Sequence, residues 1–223
     1  MFDRQATALI KPPVQACARL LVRAGCRADQ ITLTAFALGI VAAVLIALQY
    51  YLSGLALILL SRLGDALDGA VARETLATDR GGFLDVALDF LFYASIPLAF
   101  ALADPSSNAL AAAVLLAAFI GTGSSFLAFA IIAAKRGLAS TAYPNKSFYF
   151  LGGLTEATET LAFFAAMCLW PQHFATFAWI FAALCLLTIV ARLGWGWQAF
   201  SDRPQQDRTQ DRTQDRTQDR TQE

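Results

Sequence analysis

Residues 65–89 read Asp65-Ala-Leu-Asp68-Gly69-Ala-Val-Ala72-Arg73-Glu-Thr-Leu-Ala-Thr-Asp-Arg-Gly81-Gly82-Phe-Leu-Asp85-Val-Ala-Leu-Asp89. Long apolar runs flank this stretch. Asp65 and Asp68 close one hydrophobic segment, and Asp85 and Asp89 open the next. An ionised carboxylate in hydrocarbon is expensive, so acids there require a partner, a metal or a water-filled cavity. Spacings of three and four put each pair on one face of a helix, and the short link between the segments makes the two helices antiparallel neighbours. Four carboxylates therefore converge at one depth.

Like charges held so close repel unless a cation neutralises them. A donor set made only of oxygen suits hard divalent ions such as Mg²⁺, Mn²⁺ or Ca²⁺ and disfavours zinc. Gly69 and Ala72 follow the acids by one turn and leave that face almost without side-chain bulk. Arg73 stands at its edge, placed to meet an anion held by the metal. Together these features favour a phosphate or diphosphate ligand.

The rest of the chain defines the setting. Of its 223 residues 57% are hydrophobic and 15% charged, with a mean hydropathy of +0.51, which excludes an ordinary soluble domain. Seventeen basic and seventeen acidic residues cancel, so no overall field recruits nucleic acid. Cys17, Cys26, Cys168 and Cys185 form no Cys-x-x-Cys pair and read as small apolar fillers. The basic N-terminal stretch contains no apolar run ending at a cleavage site, so no cleavable signal is expected.

A hydrocarbon core about 30 Å thick takes roughly 20 apolar residues per helix. Six segments qualify: Gln30–Leu52, Ser53–Val71, Gly82–Leu102, Asn108–Ala134, Ser147–Trp170 and Phe174–Trp195, with turns expected at Ser53-Gly54, Asp104-Pro105, Tyr143-Pro144-Asn145 and Pro171-Gln172. Arg4, Lys11, Arg19, Arg23 and Arg27 precede the first span. Arg73 and Arg80 lie between the second and third, Lys135, Arg136 and Lys146 between the fourth and fifth, and Arg192 and Arg203 at the end. The alternate connections carry none, which puts both termini on the cytoplasmic side. Lys11-Pro12-Pro13 opens an amphipathic surface helix with Val14, Cys17 and Leu21 on one face. From Asp207 to Gln222 the tail repeats Asp-Arg-Thr-Gln four times with nothing apolar to bury, the composition of a disordered segment. The expected architecture is an all-α integral membrane protein. Residues 1–28 form a cytoplasmic segment with the interfacial helix, residues 29–200 a six-transmembrane-helix bundle, and residues 201–223 a disordered tail.

The string Asp65-x2-Asp68-Gly69-x2-Ala72-Arg73-x7-Gly81-x3-Asp85-x3-Asp89 resembles the signature of the CDP-alcohol phosphotransferases, integral-membrane enzymes of phospholipid headgroup synthesis. The six-span layout with its preceding surface helix is similar to that family too. One departure is the arginine–glycine gap of seven residues, where eight is usual and Gly82 would restore it. Another is Phe90 after Asp89, where relatives often carry a basic residue. The resemblance implies two divalent cations, Mg²⁺ or Mn²⁺, held by Asp65, Asp68 and Asp85, with Asp89 a further ligand or the general base. It implies that Asp65, Gly69, Ala72, Arg73 and Gly81 hold the cytidine diphosphate part. An acceptor hydroxyl deprotonated by Asp89 would then attack the lipid-linked phosphorus of CDP-diacylglycerol, and CMP would leave.

Lys135, Arg136, Lys146 and Arg192 form a second basic group that suits a phosphorylated acceptor, although cytoplasmic placement alone also explains them. Glu156 and Glu159 are two acids within one turn of the fifth span, and at least one is expected to face the cavity and bind acceptor hydroxyls, an amine or a basic side chain. The expected activity is phosphatidyl transfer to a small polar alcohol at the cytoplasmic side of a bacterial inner membrane. Transfer of a CDP-linked headgroup to diacylglycerol is the nearest alternative. A catalytically silent scaffold is disfavoured by retention of all four aspartates. A divalent-cation transporter would need a polar path across the bilayer, and beyond Asp104 the opposite half supplies only His173. The small residues Gly121, Gly123, Ser124 and Ser125 of the fourth span suit close helix contact and make a homodimer an expectation.

Overall fold

The computed structural model describes residues 3–136 and 157–201, all organised as helices and short links. Helix α1 (Asp3–Arg23) is followed by α2 (Ala28–Ala47), α3 (Tyr51–Glu74), α4 (Asp79–Ala103), α5 (Pro105–Lys135), α6 (Ala157–Leu169), a 3-10 turn (Pro171–His173) and α7 (Phe174–Phe200). Among the described residues, α2, α4, α5 and the Pro171–Phe200 segment are long and apolar enough to cross a membrane. Each of the six expected spans overlaps a helix, the fifth over its described residues 157–169 alone. However, α3 carries Arg62, Asp65, Asp68, Arg73 and Glu74, and the described part of α6 has 13 residues. The repeat tail and the Tyr143-Pro144-Asn145 turn lie outside the described residues.

The helix ends follow from local chemistry. Gly25 ends α1 at φ +79°, and the amides of Gly25 and Cys26 donate to Val22 and Leu21. Thr78 caps α4 by accepting the Gly81 N–H at 3.0 Å. Asp104 caps α5 by accepting the Ser107 N–H, with Pro105 in the first turn.

Three expectations are corrected. The turn between α2 and α3 lies at Leu48–Tyr50, not at Ser53-Gly54. Gln49 takes the left-handed conformation at φ 66° and its side chain donates to the Ala103 carbonyl at 2.9 Å. Gly54 instead serves helix packing, since a Cβ there would lie 2.6 Å from Ile46 Cγ1 and 3.2 Å from the Ala42 carbonyl. Second, α1 begins well before Pro12 and Pro13, and it buries Val14 and Ala18 against Ala70 and Val71 while Cys17 is exposed. Third, α3 and α4 pack mainly on α2 and not on each other.

Small residues make the α2 contacts tight. A Cβ on Gly64 would come within 2.8 Å of Ala35 Cβ, and the Ser61 hydroxyl donates to the Ala35 carbonyl at 2.7 Å. The core is aromatic, with Phe100 stacked on Phe174 at 4.5 Å and Phe163 on Phe181 at 4.4 Å. Leu33, Val41, Leu98, Ile120 and Leu187 point outward, as an apolar solvent requires. Gly121 and Gly123 receive Ile189 and Phe90 of the same chain, so these two glycines serve intrachain contacts.

Candidate metal and phosphate site

Because α2 lies against both α3 and α4, a cleft opens where the three helices meet. Thr32, Ala35 and Phe36 from α2, Arg62 and Asp65 from α3, and Asp85, Leu88 and Asp89 from α4 line it. Oxygens of Asp65, Asp68 and Asp85 all lie within 4.8 Å of one another. Asp68 is buried, and its Oδ2 has no hydrogen-bond partner. A buried carboxylate oxygen left unsatisfied needs a cation or proton donor. Opposed ligands of a hard ion with oxygen bonds of about 2.0–2.6 Å stand roughly 4–5 Å apart. The trio therefore fits a divalent ion in donor chemistry and in span.

Asp89 is held differently. Its Oδ1 accepts a bond from Arg62 Nη1 at 2.5 Å, and the same nitrogen stands 3.7 Å from Asp65 Oδ1. Arg62 went unnoticed in the sequence reading, although a lone arginine three residues before Asp65 inside an apolar segment itself requires a counter-ion. Asp29 was also missed: its side chain pairs with Arg80 across the starts of α2 and α4. A Cβ on Gly81 would stand 3.3 Å from Asp29 Oδ1 and 3.2 Å from Thr78 Oγ1, whereas Gly82 faces open space. Gly81 is thus the glycine packed into the helix start.

On the solvent side, Arg73 folds back over its own helix. A Cβ on Gly69 would lie 3.3 Å from Arg73 Nη1, so the missing side chain is what lets the guanidinium settle there. Arg73 is exposed and Ala72 half-buried in the last turn of α3.

The expected acceptor residues do not all gather here. Arg136 donates to the Ala199 and Phe200 carbonyls at 3.3 and 2.8 Å, closing the end of α7. Arg192 donates to the Thr122 carbonyl at 3.0 Å and thereby ties α7 to α5. Lys135 is exposed in the last turn of α5, and Glu159 is half-buried in the first turn of α6. Lys146 and Glu156 lie outside the described residues. Beyond Asp89, a cavity of about 390 Å³ is lined by Phe90 and Tyr93 of α4, Phe119 and Thr122 of α5, Thr160 of α6 and Cys185 of α7, among others. Its wall is largely apolar.

Comparison with known proteins agrees with this geometry. Residues 26–192 match the model of the CDP-alcohol phosphatidyltransferase family. Inner membrane protein YnjF of Escherichia coli (strain K12) is 52% identical over 206 residues, covering 92% of this chain and all of that protein. Among solved structures, the fold is similar to Mycobacterium tuberculosis phosphatidylinositol phosphate synthase (PgsA1) with CDP-DAG bound, at a TM-score of 0.66 and 22% identity over 82% of this chain and 93% of that one. The same synthase in complex with manganese and citrate gives a TM-score of 0.64 at 22% identity, over 82% and 88% of the two chains. The family match spans most of the chain and contains the whole acidic motif from Asp65 to Asp89, so this protein belongs to the CDP-alcohol phosphatidyltransferase family.

Proposed function

We propose that this chain transfers the phosphatidyl group of CDP-diacylglycerol to a small polar alcohol and releases CMP, working at the cytoplasmic face of a bacterial inner membrane. The observation that carries this reading is the trio of Asp65, Asp68 and Asp85 with the unsatisfied buried Asp68 Oδ2. These three would hold two divalent cations, Mg²⁺ or Mn²⁺, with Asp89 a further ligand or the general base. When bound, such an ion supplies neutralising charge for the diphosphate and for the leaving group. The curated relative is named an inner membrane protein, which supports the location. The solved relatives are titled as complexes with CDP-DAG or with manganese, which supports donor and metal.

Each residue then has a task. Asp65 and Gly81, with the bare face of Gly69 and Ala72, admit the cytidine diphosphate part, and Arg73 bonds its oxygens. Asp89 accepts the proton of the acceptor hydroxyl, whose oxygen forms a new bond to the lipid-bearing phosphorus. The bond from that phosphorus to the bridging oxygen breaks, and CMP departs with the oxygen. Arg62 engages Asp89 through Oδ1, and a carboxylate has a second oxygen with which to take the proton. Six membrane crossings and a homodimer complete the proposal.

The test is purified protein in lipid nanodiscs with labelled CDP-diacylglycerol, Mg²⁺ or Mn²⁺, and a panel of alcohols. CMP release that EDTA abolishes and added ion restores is expected. Absence of both CMP release and CDP-lipid binding with every alcohol refutes the assignment. Crosslinking in the same membranes tests the dimer.

A further inference from the structure

The cavity of about 390 Å³ is of small-molecule size, within the usual range of roughly 300–1,000 Å³. It begins at Phe90, next in sequence to Asp89, and takes in Tyr93, which follows Asp89 by one turn on the same face of α4. The acid and the cavity therefore share a wall. The other described walls come from α5, α6 and α7, whereas the acid cleft lies on the α2 and α3 side of α4.

The wall is aromatic and braced. Phe90 fills the space where Gly123 has no side chain, since a Cβ there would fall 2.5 Å from Phe90 Cε1. Phe119 stands edge-on to Phe181 at 5.6 Å and to Phe164 at 6.4 Å, and Phe181 stacks on Phe163 at 4.4 Å. Rings locked together in this way keep the shape of the cavity before anything enters it.

Of the described residues that line it, none carries a charge. Arg192 lies two turns after Cys185 on α7, where it donates to the Thr122 carbonyl at 3.0 Å and its guanidinium carbon stands 5.6 Å from the centre of the Phe126 ring. Glu159 precedes Thr160 on α6, and neither Arg192 nor Glu159 belongs to the lining. A phosphate brought against such a wall loses water and gains no counter-charge, a penalty that an uncharged alcohol escapes. Polar atoms are present all the same. Tyr93, Thr122 and Thr160 contribute hydroxyls, and Thr122, having given its proton to the Phe119 carbonyl at 3.0 Å, keeps lone pairs for an incoming O–H. Apolar ring faces with a few hydroxyls between them match the carbon face and hydroxyl edge of a polyol.

We propose that this cavity is the acceptor pocket and that it selects an uncharged polyol over the same polyol bearing a phosphate. The inference rests on the transferase reading above and names its acceptor class. Phe90 is the specificity-determining residue, because it stands beside Asp89 and presents a ring without charge. The competing class is the phosphorylated acceptor that the Lys135, Arg136, Lys146 and Arg192 group suits.

The experiment measures CMP release by the full-length protein in nanodiscs, from CDP-diacylglycerol with Mn²⁺, using glycerol, inositol, their monophosphates and hexanol as acceptors. The wild type is expected to prefer each polyol to its phosphate by about tenfold or more in kcat/KM, the least that a charge left without a partner costs, and to prefer the polyols to hexanol. Phe90→Arg should shift the ratio towards the phosphate by about 10- to 100-fold, the scale of one charged hydrogen bond. Thr122→Val should raise the polyol KM by about 2- to 10-fold with kcat little changed, which decides the matter if Phe90→Arg does not fold. A phosphorylated acceptor or hexanol used best by the wild type overturns the inference, as does an unmoved ratio in folded Phe90→Arg or an unmoved KM in Thr122→Val, and the transferase reading then stands. CDP-lipid binding without CMP release from any of these acceptors overturns the acceptor class alone. Loss of both release and CDP-lipid binding removes the transferase reading and this inference with it.

Discussion

One methyl group placed on α2, outside the acid cluster, should damage both stability and catalysis. A Cβ at Gly39 would lie 2.5 Å from Phe92 Cδ2, 2.9 Å from Cε2 and 3.0 Å from Ser61 Oγ. Ordinary contact begins near 3.4 Å, so in Gly39→Ala the ring must retreat by about 1 Å. It has nowhere to go: Phe92 is fully buried, with the rings of Tyr93 and Phe164 edge-on at 5.3 and 6.5 Å. Overpacking of this kind costs about 1–3 kcal/mol. At roughly 2–4 °C per kcal/mol for a chain of this size, melting falls by about 2–12 °C. The same ring carries Arg62 at 3.9 Å, and Arg62 carries Asp89. Misplacing a reacting group by about 1 Å can cost on the order of 100-fold in rate. Thermal unfolding in detergent and CMP release per folded molecule measure the two effects. Gly194→Ala, with nothing within 4 Å of the new atom, is the control. An unshifted melting temperature with an unaltered rate would show that Phe92 moves freely and that Asp89 does not depend on it.

Asp89→Asn should leave manganese binding intact and lower CMP release by about 10²–10⁴-fold, the usual contribution of a general base; weakened manganese binding would make Asp89 a ligand. Arg136→Gln should cost about 1 kcal/mol through its bonds to the end of α7. It should leave the acceptor KM unchanged, and a raised KM would return Arg136 to acceptor recognition. Bonds from Ser106 and then Ser107 hold the exposed Asp104 carboxyl below its ordinary value of 3.8. A lowered value means a stabilising contribution that is present above 3.8 and fades as pH falls through the folded-state value. Asp104→Ala should therefore melt below the wild type at neutral pH and converge with it in acid; an equal gap at both pH values refutes the capping role.

Much of this molecule is legible one helix at a time. Hydropathy marks the apolar segments because burial in lipid depends on local composition, and the three- and four-residue spacings place Asp65 with Asp68 and Asp85 with Asp89 on common faces because helix geometry is local. Asp104-Pro105 is readable as a helix start for the same reason. What tertiary structure alone decides is which side chains meet across helices. Ser53-Gly54 has the composition of a turn, yet Gly54 lies against Ile46, and only the α2–α3 packing reveals the difference. The acids converge in a cleft held open by α2, not between two adjoining helices. Asp89 pairs with Arg62 across that cleft, a partner that no local spacing announces. A side chain's partner depends on which surfaces pack, and that information is spread over the whole chain and is held by no single stretch of it.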